Sequence, residues 1–201
     1  SGNYWYNALD KCPYESSEVK ELYADNLYKN FLIVLMNSSL FYLWFRIFGD
    51  GRDMNFDIFE EFPIPDSEQI TKYKSLMENT SSNFLNALWS VFDPNGKRFS
   101  TSLIKDKIDL LDLVLGRYLY LLNHEEILHI MNYDKEVRGG LKLKQYETLA
   151  NQILSLTQSP DYLSNPQKQA KVKELEREID QLVYKLYNLT EGEIEIIEGT
   201  I

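Results

Sequence analysis

The chain has 201 residues, 44% apolar and 26% charged, enough for one large domain or two small ones. A net charge of −10 argues against a protein that coats nucleic acid by charge alone. One cysteine, Cys12, excludes an internal disulfide framework and suits a reducing cytoplasm; with no signal peptide visible, the Asn-X-Ser/Thr sequences at Asn37, Asn79 and Asn188 read as chance matches. The start at Ser1-Gly2, without an initiator Met, reads as a cleavage scar and marks an excised fragment. The acidity is uneven. Residues 1–95 hold 7 basic and 14 acidic side chains, residues 96–190 hold 14 and 13, and the last eleven hold four Glu and no base. Basic clusters remain at Lys135, Arg138, Lys142, Lys144 and at Lys168, Lys171, Lys173, Arg177, the pattern of solvated helix faces.

In chain order, residues 3–15 are aromatic and turn-rich. Ser16 or Ser17 is placed to cap a helix from about Glu18, with helical signal to Phe48 and a break near Asp25-Asn26. Phe31 to Phe48 has the length of a membrane span, but Asn37, Ser38 and Ser39 at its centre and Arg46 near its end are costly in hydrocarbon. A buried helix is expected instead. Its aromatic face, Leu40, Phe41, Leu43, Trp44, Ile47 and Phe48, follows three-to-four spacing. Gly49 and Gly51 are expected to end it, because glycine reaches backbone angles other residues avoid, leaving Arg52 on a rim turn. Residues 54–64 suggest a helical turn, and the prolines of Phe62-Pro-Ile-Pro65 enforce an extended segment.

Asp66 with Gln69 makes a capping box opening the next helix, whose Ile70, Tyr73, Met77, Phe84 and Val91 form a heptad seam with Thr80 and Ala87 between them. Asp93-Pro-Asn-Gly96 ends it in a turn. A second helix is predicted over about Thr101–Leu121, and Asn123 with Glu126 caps a shorter one to about Asn132. Arg138-Gly139-Gly140 reads as a linker. Beyond it, Tyr146, Leu149, Ile153, Leu156 and then Val172, Leu175, Ile179, Leu182, Leu186, Leu189 give two seams of an antiparallel helical hairpin. Tyr120-Leu-Leu-Asn-His-Glu-Glu-Ile127 also echoes Tyr187-Asn-Leu-Thr-Glu-Gly-Glu-Ile194, so a long helix, tight turn and short helix occur twice. The expected fold is mainly α, with room for a small strand element in the first 65 residues. Three regions follow: 1–65 a partial recognition-like region, 66–140 a long helix with a helix-turn-helix unit, and 141–201 a helical hairpin with a short final helix.

Catalytic motifs fail on spacing. His124 and His129 are five apart, about 140° around a helix, whereas a zinc-protease pair needs four. Both read as surface or capping residues. Asp10 with Glu18-Val-Lys20 lacks the paired strands that hold metal-binding carboxylates together. Phosphate loops are absent, and Asp93-Pro94-Asn95 and Asn165-Pro166-Gln167 lack the second proline of the adenine-methylating motif. No catalytic or metal-ligating residue is assigned. What remains is Arg52, with Asn55 and the Asn37-Ser38-Ser39 break nearby, since Arg and Asn make bidentate contacts to guanine and adenine edges.

Asn37-Ser-Ser-Leu-Phe41 with Phe62-Pro-Ile-Pro65 resembles the distal target-recognition region of type IIG restriction–modification enzymes and adenine-specific DNA methyltransferases. Ile130-Met-Asn-Tyr-Asp134 with Arg138-Gly139 is similar to a stretch of the same enzymes, and the run from Ile153 to Glu198 resembles the tail of the TaqI-like C-terminal specificity domain. These stretches lie between Asn37 and Glu198, and residues 1–30 have no counterpart; Gly192 stands where that tail usually carries Glu. The resemblance implies a cytoplasmic parent with S-adenosylmethionine chemistry whose cofactor and catalytic motifs are not in this chain. It implies double-stranded DNA as partner through the parent, and contact with a methyltransferase domain of the same chain. A homodimer is also compatible, and no membrane is involved. Arg52 and Asn55 are then expected near bases, and Lys97, Arg98, Arg138, Lys142 and Lys144 near DNA. The alternative is a helical assembly module that docks the catalytic domain or a second subunit without touching DNA.

Overall fold

A computed structural model describes residues 8–12, 21–49, 56–133, 144–187 and 189–199. The chain is mainly α-helical, as its periodicity predicts. Helix α1 covers Asn26–Met36 and α2 Ser39–Phe48. Short α3 (Phe56–Glu60) and α4 (Ser67–Lys72) lead into α5 (Lys74–Ser90). A hairpin follows, β1 (Phe92–Asp93) pairing antiparallel with β2 (Arg98–Phe99). After a 3₁₀ turn at Thr101–Ile104, α6 (Lys105–Val114) passes into a π-helical turn at Leu115–Leu119. The remaining helices are α7 (His124–Tyr133), α8 (Lys144–Thr157), α9 (Pro166–Tyr187) and α10 (Glu191–Glu198).

One apolar core takes side chains from Phe31 on α1 to Tyr187 on α9. α1 packs on α5, α2 on α7, and α8 lies antiparallel against α9 as the two seams require. Along α9 the buried line runs Val172, Leu175, Ile179 and then Val183 and Tyr187, whereas Leu182 is half-buried and Leu186 is 38% exposed. Three consecutive steps of four, from Leu175 to Tyr187, move the stripe away from the expected Leu182–Leu186 path, because a 3.6-residue helix drifts against a strict heptad.

Several boundaries differ from expectation. Residues 21–25 are not helical and α1 starts at Asn26, where the break was expected; Ser16, Ser17 and Glu18 lie outside the described residues. The long apolar helix is broken: α1 and α2 meet at 73°, and among the described residues no single helix is long and apolar enough to cross a membrane. Asn37 and Ser38 make the break. Asn37 Nδ2 donates to the Ile33 carbonyl at 2.8 Å, and the Ser38 hydroxyl accepts the Phe41 N–H at 3.1 Å, so local side chains replace the helical ladder.

Gly49 does end α2, but its φ is −90°, open to any residue. Glycine is needed there for closeness: an added Cβ would stand 2.6 Å from the Phe45 carbonyl oxygen and 2.8 Å from Ile58 Cδ1. Phe62 is a bend and Pro63–Pro65 irregular, with no strand among them, and the strand pair lies instead at Phe92–Phe99. The Asp66 cap is half of a box. Its carboxylate accepts the Gln69 N–H at 2.7 Å, while the Gln69 side chain donates to the Tyr118 carbonyl at 2.6 Å. At Tyr73 the predicted helix splits into α4 and α5, the ring being buried against Tyr118 at 5.4 Å. The Asn123–Glu126 and Thr190–Glu193 reciprocal caps both form, and Leu122 and Leu189, equivalent in the internal echo, each turn an N–H back to a helix-end carbonyl.

Candidate functional site

The densest set of charged and polar groups lies where the π turn meets α7, α8 and α9. A helix that is α throughout sets consecutive side chains about 100° apart. The wider π turn at Leu115–Leu119 brings Arg117 and Tyr118 to the same residue of α9. Arg117 donates from Nε to Asp180 Oδ1 at 2.7 Å and from Nη2 to Oδ2 at 3.1 Å, a bidentate pair. The Tyr118 hydroxyl donates to Asp180 Oδ1 at 2.9 Å. Gly116 lets the π turn sit close on α7, since a Cβ there would fall 2.7 Å from Ile127 Cγ1.

Glu176 and Asp180, one turn apart, face the same way from α9. Arg117 Nη1 reaches Glu176 Oε2 at 2.6 Å, and His124 Nε2 lies 2.9 Å from Glu176 Oε1. His124 Nδ1 is 3.1 Å from the Tyr146 hydroxyl on α8. A carboxylate only accepts, so Nε2 carries a proton, and in the neutral ring the Tyr146 hydroxyl donates to Nδ1. An unbroken path thus runs Tyr118–Asp180–Arg117–Glu176–His124–Tyr146. Burial raises Glu176, but the His124 hydrogen bond and the Arg117 charge outweigh it and hold the carboxyl at about 2. Burial pushes the Tyr146 phenol up, and burial with the Asp180 charge pushes Tyr118 up. Arg117 is also raised, because Asp180 and Glu176 overcome the opposing effect of burial. These groups satisfy one another. Their evident work is to clamp four elements together.

His124 is therefore not a surface residue. It is 8% exposed, whereas His129 is exposed as expected. The reason is the cap: Asn123 starts α7, which puts His124 on the first helical position with its ring turned toward α8 and α9. The sequence signal was there, in Arg117 between Gly116 and Tyr118 of an apolar helix and in Glu176 and Asp180 beside the α9 seam. Nothing in the spacing told which acid met which base.

The Asn37-Ser38-Ser39 break is equally committed. All three are fully buried, and Asn37 clasps Ala8, donating to its carbonyl at 2.9 Å and accepting its N–H at 3.2 Å. Asn37 has no edge left to offer a base.

Of the residues expected near DNA, Arg52, Asn55, Arg138 and Lys142 lie outside the described residues, as do the 138–140 linker and all of residues 134–143. Lys144 is the first residue of α8. Lys97 and Arg98 are both exposed, at the tip of the β1–β2 hairpin. The tip is well braced. Asp93 Oδ1 accepts the Asn95 N–H at 3.0 Å, and Asp93 Oδ2 lies 3.8 Å from Arg98 Nε. Phe92 and Phe99 pack at 4.8 Å and each meets Trp89 of α5 at 5.5 Å. Lys97 has a φ of 48°, the left-handed region, which turns its backbone out of the strand line. Elsewhere a shallow cleft of about 130 Å³ is lined by Phe84, Leu110, Leu111 and Tyr187, with Asn83 and Lys107 at its polar side. Among the described residues no three His, Cys, Asp or Glu side chains are placed to share a metal ion.

Comparison with known protein families, curated proteins and solved structures finds no match to this chain.

Proposed function

We propose that the chain is a non-catalytic DNA-specificity segment of a cytoplasmic restriction–modification enzyme or adenine-specific DNA methyltransferase. Its helices act as scaffold and its exposed basic groups as contacts to duplex DNA. The observation that carries this reading is the braced hairpin tip, where Lys97 and Arg98 project from an aromatic-anchored ribbon on a chain of otherwise acidic balance. Such groups suit phosphate oxygens, which fix register and orientation without reading sequence. Base reading falls to Arg52 and Asn55, and Arg138, Lys142 and Lys144 supply further backbone contacts. The S-adenosylmethionine site and the transfer step belong to a methyltransferase domain of the parent.

The test is binding of the full chain to duplex DNA across a salt series. Affinity should fall steeply with salt, and replacing Lys97 and Arg98 together with Ala should flatten the slope by about 1–2. Absence of salt-dependent binding sinks the reading. In the parent enzyme, Arg52→Ala should lower the methylation rate or relax the sequence preference, and an unchanged rate and preference removes Arg52 from base reading.

The second reading, a helical assembly module, is favoured by a different observation. Ile47, Phe48, Leu121 and Leu163 are large apolar side chains at least 59% exposed. Sedimentation showing a concentration-dependent dimer, with no DNA binding, would select it.

A further inference from the structure

α6 carries Lys105, Asp109 and Asp112 at i, i+4 and i+7, hence on one face. All three lie in the interior, none more than 2% exposed. Lys105 and Asp109 form an ion pair within that face. Asp112 instead reaches α2. Its Oδ1 accepts the Ser39 N–H at 2.7 Å and the Leu40 N–H at 3.1 Å, the first-turn amides of that helix. A side chain distant in sequence thus caps α2 together with Ser38. Asp112 Oδ2, by contrast, is buried with no hydrogen-bond partner.

Two carboxylates therefore share this face with one ammonium. An ionised carboxylate whose second oxygen is buried without a protein partner is strongly disfavoured, and such a group takes up a proton. We propose that the folded protein holds a proton on Asp112 Oδ2 in mildly acidic solution, where an exposed carboxyl has already lost it, and that loss of this proton weakens the seat of α2 on α6. The joint is then a proton-linked device, independent of the DNA reading.

Burial pushes Asp112 up to about 7, against the pull of Lys105, the Ser39 hydroxyl and the Leu40 N–H, with the Asp109 charge adding to the rise. The ionisable groups on other elements packed against α6 are engaged elsewhere or face solvent. Arg46 on α2 is exposed, Lys74 and Glu78 on α5 pair with each other at the surface, and Arg117 and Tyr118 bind Asp180. On α7, His124 is held by Tyr146 and Glu176, Glu126 caps its own helix, Glu125 and His129 are exposed, and Tyr133 packs on Tyr42.

The sign follows. A folded-state value above the unfolded one, about 3.9, means the folded chain binds the extra proton. This group's contribution is complete below about pH 4 and is lost as pH rises toward 7. A carbon-13 titration of the Asp112 side-chain carboxyl in the full chain, assigned with Asp112→Asn, tests it. A midpoint near 7, followed by the Ser39 and Leu40 amide signals, is expected. A midpoint at or below about 4 overturns the proposal, and so does a midpoint near 7 that those amides ignore. Asp112→Asn should abolish the amide titration. If that variant does not fold, the wild-type titration alone decides.

Discussion

Arg117 is the residue on which the polar clamp turns. It contacts both Asp180 and Glu176, and it is 17% exposed at the side chain. Arg117→Ala leaves two carboxylates facing one another with only Tyr118 and His124 to answer them. Removing one partner of such a pair is expected to cost about 3 kcal/mol, seen as a lower urea midpoint. Arg117→Lys should recover only part of that loss, since an ammonium cannot reproduce the bidentate fork. Gly116 beside it works by size. Gly116→Ala places a methyl group 2.7 Å from Ile127 Cγ1, which α7 must move to admit. A loss of about 1–3 kcal/mol in denaturant unfolding is expected, and a variant as stable as wild type would show that α7 is not tightly seated.

At the scale of elements, α10 offers a paired test. Thr190 and Glu193 make a full capping box, the Glu193 carboxylate accepting the Thr190 N–H at 2.8 Å and the Thr190 hydroxyl the Glu193 N–H at 3.4 Å. Thr190→Ala should cost about 1 kcal/mol. Gly192 sits in the same first turn with nothing within 4 Å of where a Cβ would be. Gly192→Ala should therefore stabilise, by about 0.5 kcal/mol, since glycine in a helix carries only an entropic penalty. Helix-resolved hydrogen exchange would register both, with opposite signs. A loss on Gly192→Ala would mean that the position meets something in the assembled protein.

For the whole molecule, acid should act through the same clamp that Arg117 anchors. Glu176 is held at about 2, below its ordinary 4.5. A carboxyl lowered on folding contributes stability that is present above its unfolded value and is lost as pH falls through the folded one. Stability should thus decline between about pH 4.5 and pH 2, and Glu176→Gln should flatten that decline while lowering stability at neutral pH. The readout is the urea midpoint as a function of pH. A decline of equal size in Glu176→Gln would assign the acid sensitivity to other carboxyls.

The sequence by itself determined the helical class, the α8–α9 hairpin, the caps at Asp66, Asn123 and Thr190, and the turn between Asp93 and Gly96. These depend on neighbours three or four residues apart, which periodicity and capping chemistry report directly. Tertiary structure alone decided the fate of the polar residues. Asn37 meets Ala8, Asp112 meets Ser39, and Arg117 meets Asp180 across separations of 29 to 73 residues. Hydrophobic spacing carries no information about such pairings. For that reason His124 read as a surface or capping residue and Gly49 as a conformational break, until packing showed the His124 ring against Tyr146 and Glu176 and Gly49 leaving room for Phe45 and Ile58.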